Sequence, residues 1–139
     1  MGLIAVDSSV WIDLMTGRIT TQTSAIKALL DADHRLAIAD LVLTEVLQGA
    51  RHDRSFDEGL RFFADFVPLT VVDREVAIEA ARHYRLLRDR GITVRKTIDT
   101  LIATRCILDR IALLYSDRDF DPFVQHLGLR SAMDLPGVT

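Results

Sequence analysis

Four short apolar runs, residues 3–6, 36–39, 69–72 and 111–115, alternate along the chain with longer segments whose apolar side chains recur every three or four positions. Runs this short and uniformly apolar suit strands buried on both faces, and the longer segments suit amphipathic helices laid over them. Alternation of that kind points to an α/β domain with a central, mostly parallel sheet flanked by helices. At 139 residues, 49% of them hydrophobic, the chain can bury a continuous core in a single domain over 1–139 without disulfides.

The first helix is expected to open at Ser8 or Ser9, capped by a serine hydroxyl, and to carry Trp11, Ile12, Leu14 and Met15. Further helices are expected over 20–30, from a cap at Asp40 to a stop at Gly49, over 53–64, from Asp73 to just before Gly91, over 97–110 and around 120–127. Pro68 breaks the pattern ahead of the run at 69–72, and 129–131 is a small strand candidate.

Four acids stand where such a fold aims side chains inward. Asp7 and Asp117 punctuate the ends of two apolar runs, while Glu45 and Asp99 border the buried stripes of their helices. Isolated buried carboxylates are costly, so a shared cation is the economical explanation. In parallel α/β sheets the ligand crevice lies beyond the carboxyl ends of the strands, which is where Asp7 and Asp117 fall. Oxygen-only ligation selects Mg²⁺ or Mn²⁺ over zinc, and His34, His52, His83 and His126 fall at no ligand-like spacing, reading as surface or packing residues. Each acid alone has a plainer use: Asp7 and Asp117 as helix caps, Asp99 in a first helical turn, Glu45 as a solvated residue.

These acids lie in four segments: Val6-Asp7-Ser8-Ser9-Val10-Trp11-Ile12, Leu43-Thr44-Glu45-Val46-Leu47-Gln48-Gly49, Asp99-Thr100-Leu101-Ile102-Ala103 and Leu114-Tyr115-Ser116-Asp117-Arg118-Asp119-Phe120. In their order and spacing the chain resembles the PIN-domain ribonucleases, and among them the VapC-type toxins of bacterial type II toxin–antitoxin pairs. The resemblance implies a compact PIN-like fold, a homodimer, endonucleolytic cleavage of RNA dependent on Mg²⁺ or Mn²⁺, and inhibition by a VapB-type antitoxin. It assigns catalysis to Asp7, Glu45, Asp99 and Asp117, and metal binding to Asp7, Asp99, Asp117 and Asp119, with Asp121 an alternative to Asp119. Thr104 stands where many relatives carry a small apolar residue. Ser8, Ser9 and Ser116 read as helix caps or as groups orienting water and carboxylates.

A carboxylate cleft repels phosphate, so cations should rim it. Arg95, Lys96 and Arg118, closest in sequence to the acids, are the expected RNA contacts, whereas Arg82 and Arg85 read as a solvated helix face. Trp11 can stack a base or pack, and its apolar neighbours favour packing. Phe56, Phe62, Phe63 and Phe66 exceed what one helix needs for a core, and with segment 20–30 they could form an antitoxin groove.

The net charge of -3 argues against a general nucleic-acid-coating protein. No apolar stretch approaches the roughly 18 residues of a membrane span, no signal peptide is evident, and a cytoplasmic protein is expected. The lone Cys106 reads as a buried small hydrophobe. Phosphoryl transfer through a strand-end aspartate usually wants a second acid two residues on, where Ser9 stands, and a receiver domain wants an adjacent acid pair and a strand-end lysine. A binding module that kept a PIN fold without catalysis would usually have lost acids, and none is missing.

Overall fold

In a computed structural model, which describes residues 2–138, the four strands form one parallel sheet in the order β3-β2-β1-β4. The elements run β1 (Leu3–Val6), α1 (Ser8–Met15), α2 (Thr21–Asp31), β2 (Arg35–Ala39), α3 (Asp40–Leu47), α4 (Asp53–Phe63), β3 (Val67–Leu69), α5 (Arg74–Asp89), α6 (Thr97–Asp109), β4 (Ala112–Leu114) and α7 (Asp121–Leu127). Short 3₁₀ turns cover Arg118–Phe120 and Ala132–Asp134. Central β1 pairs with β2 on one side (Ile4 opposite Leu36) and with β4 on the other (Ala5 opposite Leu113). Ile4, Ala5, Val6, Leu113 and Leu114 are accordingly buried.

Two expected caps differ. α1 is capped by Asp7, whose carboxylate accepts from the Ser9 backbone N–H, not by a serine hydroxyl. A carboxylate already at the strand end reaches the orphan amides first. Asp40 is the first residue of α3 and makes no side-chain cap to the helix's N-terminal amides beyond its neighbour Leu41; its Oδ1 also accepts from Val71 N–H, 31 residues on.

The expected strand at 69–72 also shifts, to Val67–Leu69. This strand lies at the sheet edge, where Pro68 loses no ladder bond because only one side is paired. After Leu69 the chain leaves the sheet, since the Val71 amide is taken by Asp40. At the other edge, the 129–131 candidate contributes a single parallel bridge, Ser131 with Leu113, beside a bond from Leu113 N–H to Arg130 O.

The α5–α6 pair is held by contacts that sequence patterning does not reveal. His83, buried, meets Thr104 across the two helices at 2.8 Å (Nδ1 to Oγ1), which gives the unusual hydroxyl at 104 a partner. Arg105 ties α6 to the β3–α5 connection, donating to Val71 O at 3.1 Å and to Asp73 at 2.9 Å. Cys106 is buried, as expected.

Trp11 is 1% exposed and packs against Phe62, Phe63 and Phe66, with ring centroids 5.1–5.8 Å away. The aromatic surplus of α4 is therefore partly core: Phe63 is buried, while Phe56 and Phe62 remain 41% exposed.

α6 ends on Arg110, whose φ of 56° and ψ of 42° place a side-chain-bearing residue in the left-handed region. Glycine adopts that conformation without the Cβ clash. Arg110→Gly is expected to raise stability by up to about 1 kcal/mol, read as a higher urea midpoint at unchanged m-value. A lower midpoint would mean that the Arg110 side chain contributes more than its backbone costs.

Candidate metal centre

The sheet order reverses direction at β1: the chain moves outward through β2 and β3, then returns to place β4 on the opposite side. The carboxyl ends of β1 and β4 are thus the switch point; Asp7 follows β1 directly, and Asp117 follows β4 after Tyr115 and Ser116. Asp7 N–H bonds to Leu114 O at 2.9 Å, which fixes the two ends side by side.

Both acids also serve as caps. Asp7 Oδ2 accepts from the Ser9 hydroxyl at 2.7 Å and the Ser9 amide at 3.3 Å, and Asp117 Oδ1 accepts from the Asp119 amide at 2.9 Å. Ser116 Oγ donates to Ser9 Oγ at 3.1 Å, so hydroxyls from the two strand ends run in series onto Asp7. These serines orient carboxylates; the capping is done by the acids.

Asp99 enters from the first turn of α6, where the helix's positive end favours a carboxylate, and is 5% exposed. Among the described residues, one group of three acids, Asp99, Asp117 and Asp119, brings an oxygen from each within 4.8 Å of the others. Asp7, 3% exposed, and Glu45 of α3 stand beside that triad and act on it through their charge. Asp121 turns elsewhere, accepting from Tyr115 Oη at 2.8 Å.

The electrostatics follow from burial and crowding. Burial, then the Asp7 charge, push the Asp99 carboxyl up to about 7, with Asp117 and Glu45 adding to the effect and Lys96 opposing it. Burial likewise raises Asp7, against the hydrogen bonds from Ser9. Glu45 is raised by burial and by Asp7, offset in part by the Ser8 hydroxyl and Lys96.

A divalent cation fits this set. Asp99 Oδ2 and Glu45 Oε1 are buried with no hydrogen-bond partner, an arrangement that costs free energy unless a further positive group satisfies them. The donors are all carboxylate oxygens, which suits a hard ion such as Mg²⁺ or Mn²⁺.

The three expected cations are all exposed, though not alike. Arg95 is paired with Asp119, Lys96 Nζ lies 3.7 Å from Asp117, and Arg118 makes no ion pair among the described residues. Arg82 is paired with Glu79 on α5. The engagement of Arg95 with an acid of the site is what sequence reading missed, because 90–96 carries no periodic pattern from which to place it.

Residues 4–123 match the sequence model of the PIN domain family, and the chain belongs to that family. It is 28% identical over 131 residues to VapC ribonuclease Mb1587 of Mycobacterium bovis and to Ribonuclease VapC11 of Mycobacterium tuberculosis, with 94% of this chain and 98% of each relative covered. Among solved structures the fold is similar to VapBC2 from Rickettsia felis bound to a DNA fragment from its promoter (TM-score 0.74, 15% identity, 94% of this chain and 97% of that one). It is also similar to VapBC-1 from nontypeable Haemophilus influenzae (TM-score 0.71, 16% identity, 94% and 96%).

Proposed function

We propose that the chain is a divalent-metal-dependent endoribonuclease, the toxin of a type II toxin–antitoxin pair, acting in the cytoplasm as a homodimer with residues 1–139 forming its nuclease domain. The observation that carries this reading is the pair of buried, unpartnered carboxylate oxygens on Asp99 and Glu45 inside the acid cluster. The VapC ribonucleases among its relatives support the choice of RNA.

In this reading Asp7, Asp99, Asp117 and Asp119 hold the ion, and Glu45 completes the catalytic set. A bound Mg²⁺ or Mn²⁺ would polarise a phosphodiester oxygen and acidify a water for in-line attack. Ser9 and Ser116 hold Asp7 in register, the α6 N-terminus steadies Asp99, and Arg95, Lys96 and Arg118 meet the RNA backbone. No nucleophilic side chain is required.

A VapB-type antitoxin is the proposed partner, supported by the VapBC complexes among the structural neighbours. A groove of about 260 Å³ between α1, α3 and α4 suits an inserted helix or strap: its lining includes exposed Ile12 and Met15 and extends to Glu45. No helix among the described residues is long and apolar enough to cross a membrane.

The test is incubation of purified, antitoxin-free protein with mixed cellular RNA in Mg²⁺ or Mn²⁺, and in EDTA. Discrete cuts are expected with either metal, none in EDTA, and recovery when excess Mn²⁺ is restored. Intact RNA under every metal, from protein shown to be folded, would overturn the enzymatic reading.

A further inference from the structure

Asp119 differs from the other two acids of the triad in having both oxygens hydrogen-bonded to a single guanidinium. Arg95 Nη2 donates to Asp119 Oδ1 at 2.9 Å and to Oδ2 at 3.1 Å, so both oxygens face one cation. The Asp119 side chain is 19% exposed and that of Arg95 77%, so the acid is fixed in the site and the arginine reaches in from solvent. Arg95 lies on the irregular connection between α5 and α6, where the backbone can reposition it without breaking a helix. Lys96, by contrast, stands 3.7 Å from Asp117.

A divalent ion held by Asp99, Asp117 and Asp119 needs an oxygen that Arg95 occupies. Sharing it would bring a guanidinium and a dication to within a few ångströms, where like charges repel strongly. We propose that Arg95 is a counter-ion latch, holding Asp119 in the metal-free protein, released when a divalent ion binds, and then free to take a phosphate oxygen of the nucleic acid. The latch rests on the metal reading above. Metal and phosphate binding are then coupled, each strengthening the other by the same factor. An exposed ion pair of this kind corresponds to about two- to fivefold in an equilibrium constant.

The test measures Mn²⁺ affinity of the full chain from the free-ion electron paramagnetic resonance signal, without substrate. Arg95→Gln is expected to tighten Mn²⁺ about two- to fivefold. Arg118→Gln removes the same charge from the residue between Asp117 and Asp119, with no carboxylate to release, and should tighten it clearly less. In an Asp119→Asn background Arg95→Gln should tighten Mn²⁺ no more than Arg118→Gln does. Adding oligothymidylate as a phosphate probe should tighten Mn²⁺ in the wild type and clearly less in Arg95→Gln. Equal effects of the two arginine substitutions, an Arg95 effect undiminished by Asp119→Asn, or oligothymidylate tightening undiminished in Arg95→Gln would each overturn the latch. Mn²⁺ binding with an inert Arg95→Gln sinks the latch alone, whereas a wild type that binds no Mn²⁺ sinks the metal centre and the latch together.

Discussion

Asp99→Asn is expected to reduce RNA cleavage by about 10²–10³-fold or more while raising the melting temperature of the metal-free protein at pH 8. The two effects have one origin. Asp99 is buried among like charges, and its carboxyl is pushed from 3.8 up to about 7. Between those values the folded protein holds a proton that the unfolded chain has released, so stability falls as pH rises through the window and is level above about 7. Asparagine removes the charge, so its stabilising effect should be largest at pH 8 and shrink as pH falls from about 7 towards 4. Thermal melts in EDTA across that range provide the check. A variant less stable than wild type at pH 8, or one that still cuts RNA, would show that Asp99 is not the strained member of the site.

The second large effect falls on a residue with no charge. Phe120 is fully buried, closes the 3₁₀ turn that starts at Arg118, and packs its ring against Tyr115 at 5.4 Å between centroids. It anchors to the core the turn that presents Asp117 and Asp119. Phe120→Ala is expected to cost about 3–5 kcal/mol, as aromatic truncations in cores do, and to weaken Mn²⁺ binding by disordering Asp119. Phe120→Leu, which keeps most of the apolar volume, should restore much of both. Urea midpoints together with Mn²⁺ titration separate the outcomes. A Phe120→Ala midpoint within about 1 kcal/mol of wild type would mean that the turn is held by its own hydrogen bonds.

Apolar runs at 3–6, 36–39 and 111–115 were legible as strands because burial on both faces leaves a continuous hydrophobic signature. The run at 69–72 misled for the same reason: Val71 is buried, but against the core beside the sheet, with its amide taken by a side chain 31 positions away. Asp7 and Asp117 stood out as acids at the ends of apolar runs, and the structure sets them at neighbouring strand ends. What could not be read were pairings across the fold. Arg95 with Asp119, His83 with Thr104 and Ser116 with Ser9 join residues from separate elements, and no local pattern announces them. The serines illustrate the limit well, since a hydroxyl beside a carboxylate loses the capping role to the stronger acceptor.

The pairing of β1 with β4 also sets a timetable for folding. Ile4 lies opposite Ala112, so the strand that opens the sheet waits for one that lies far along the chain before the switch point closes. Such long-range parallel pairing is slow relative to local helix formation. A nascent chain that has exposed Asp7 and Glu45 still lacks the edge that sets Asp117 beside them, and so carries acids without a centre. Topology thereby ties assembly of the site to one distant pairing, so the acids gather only once β1 and β4 are side by side.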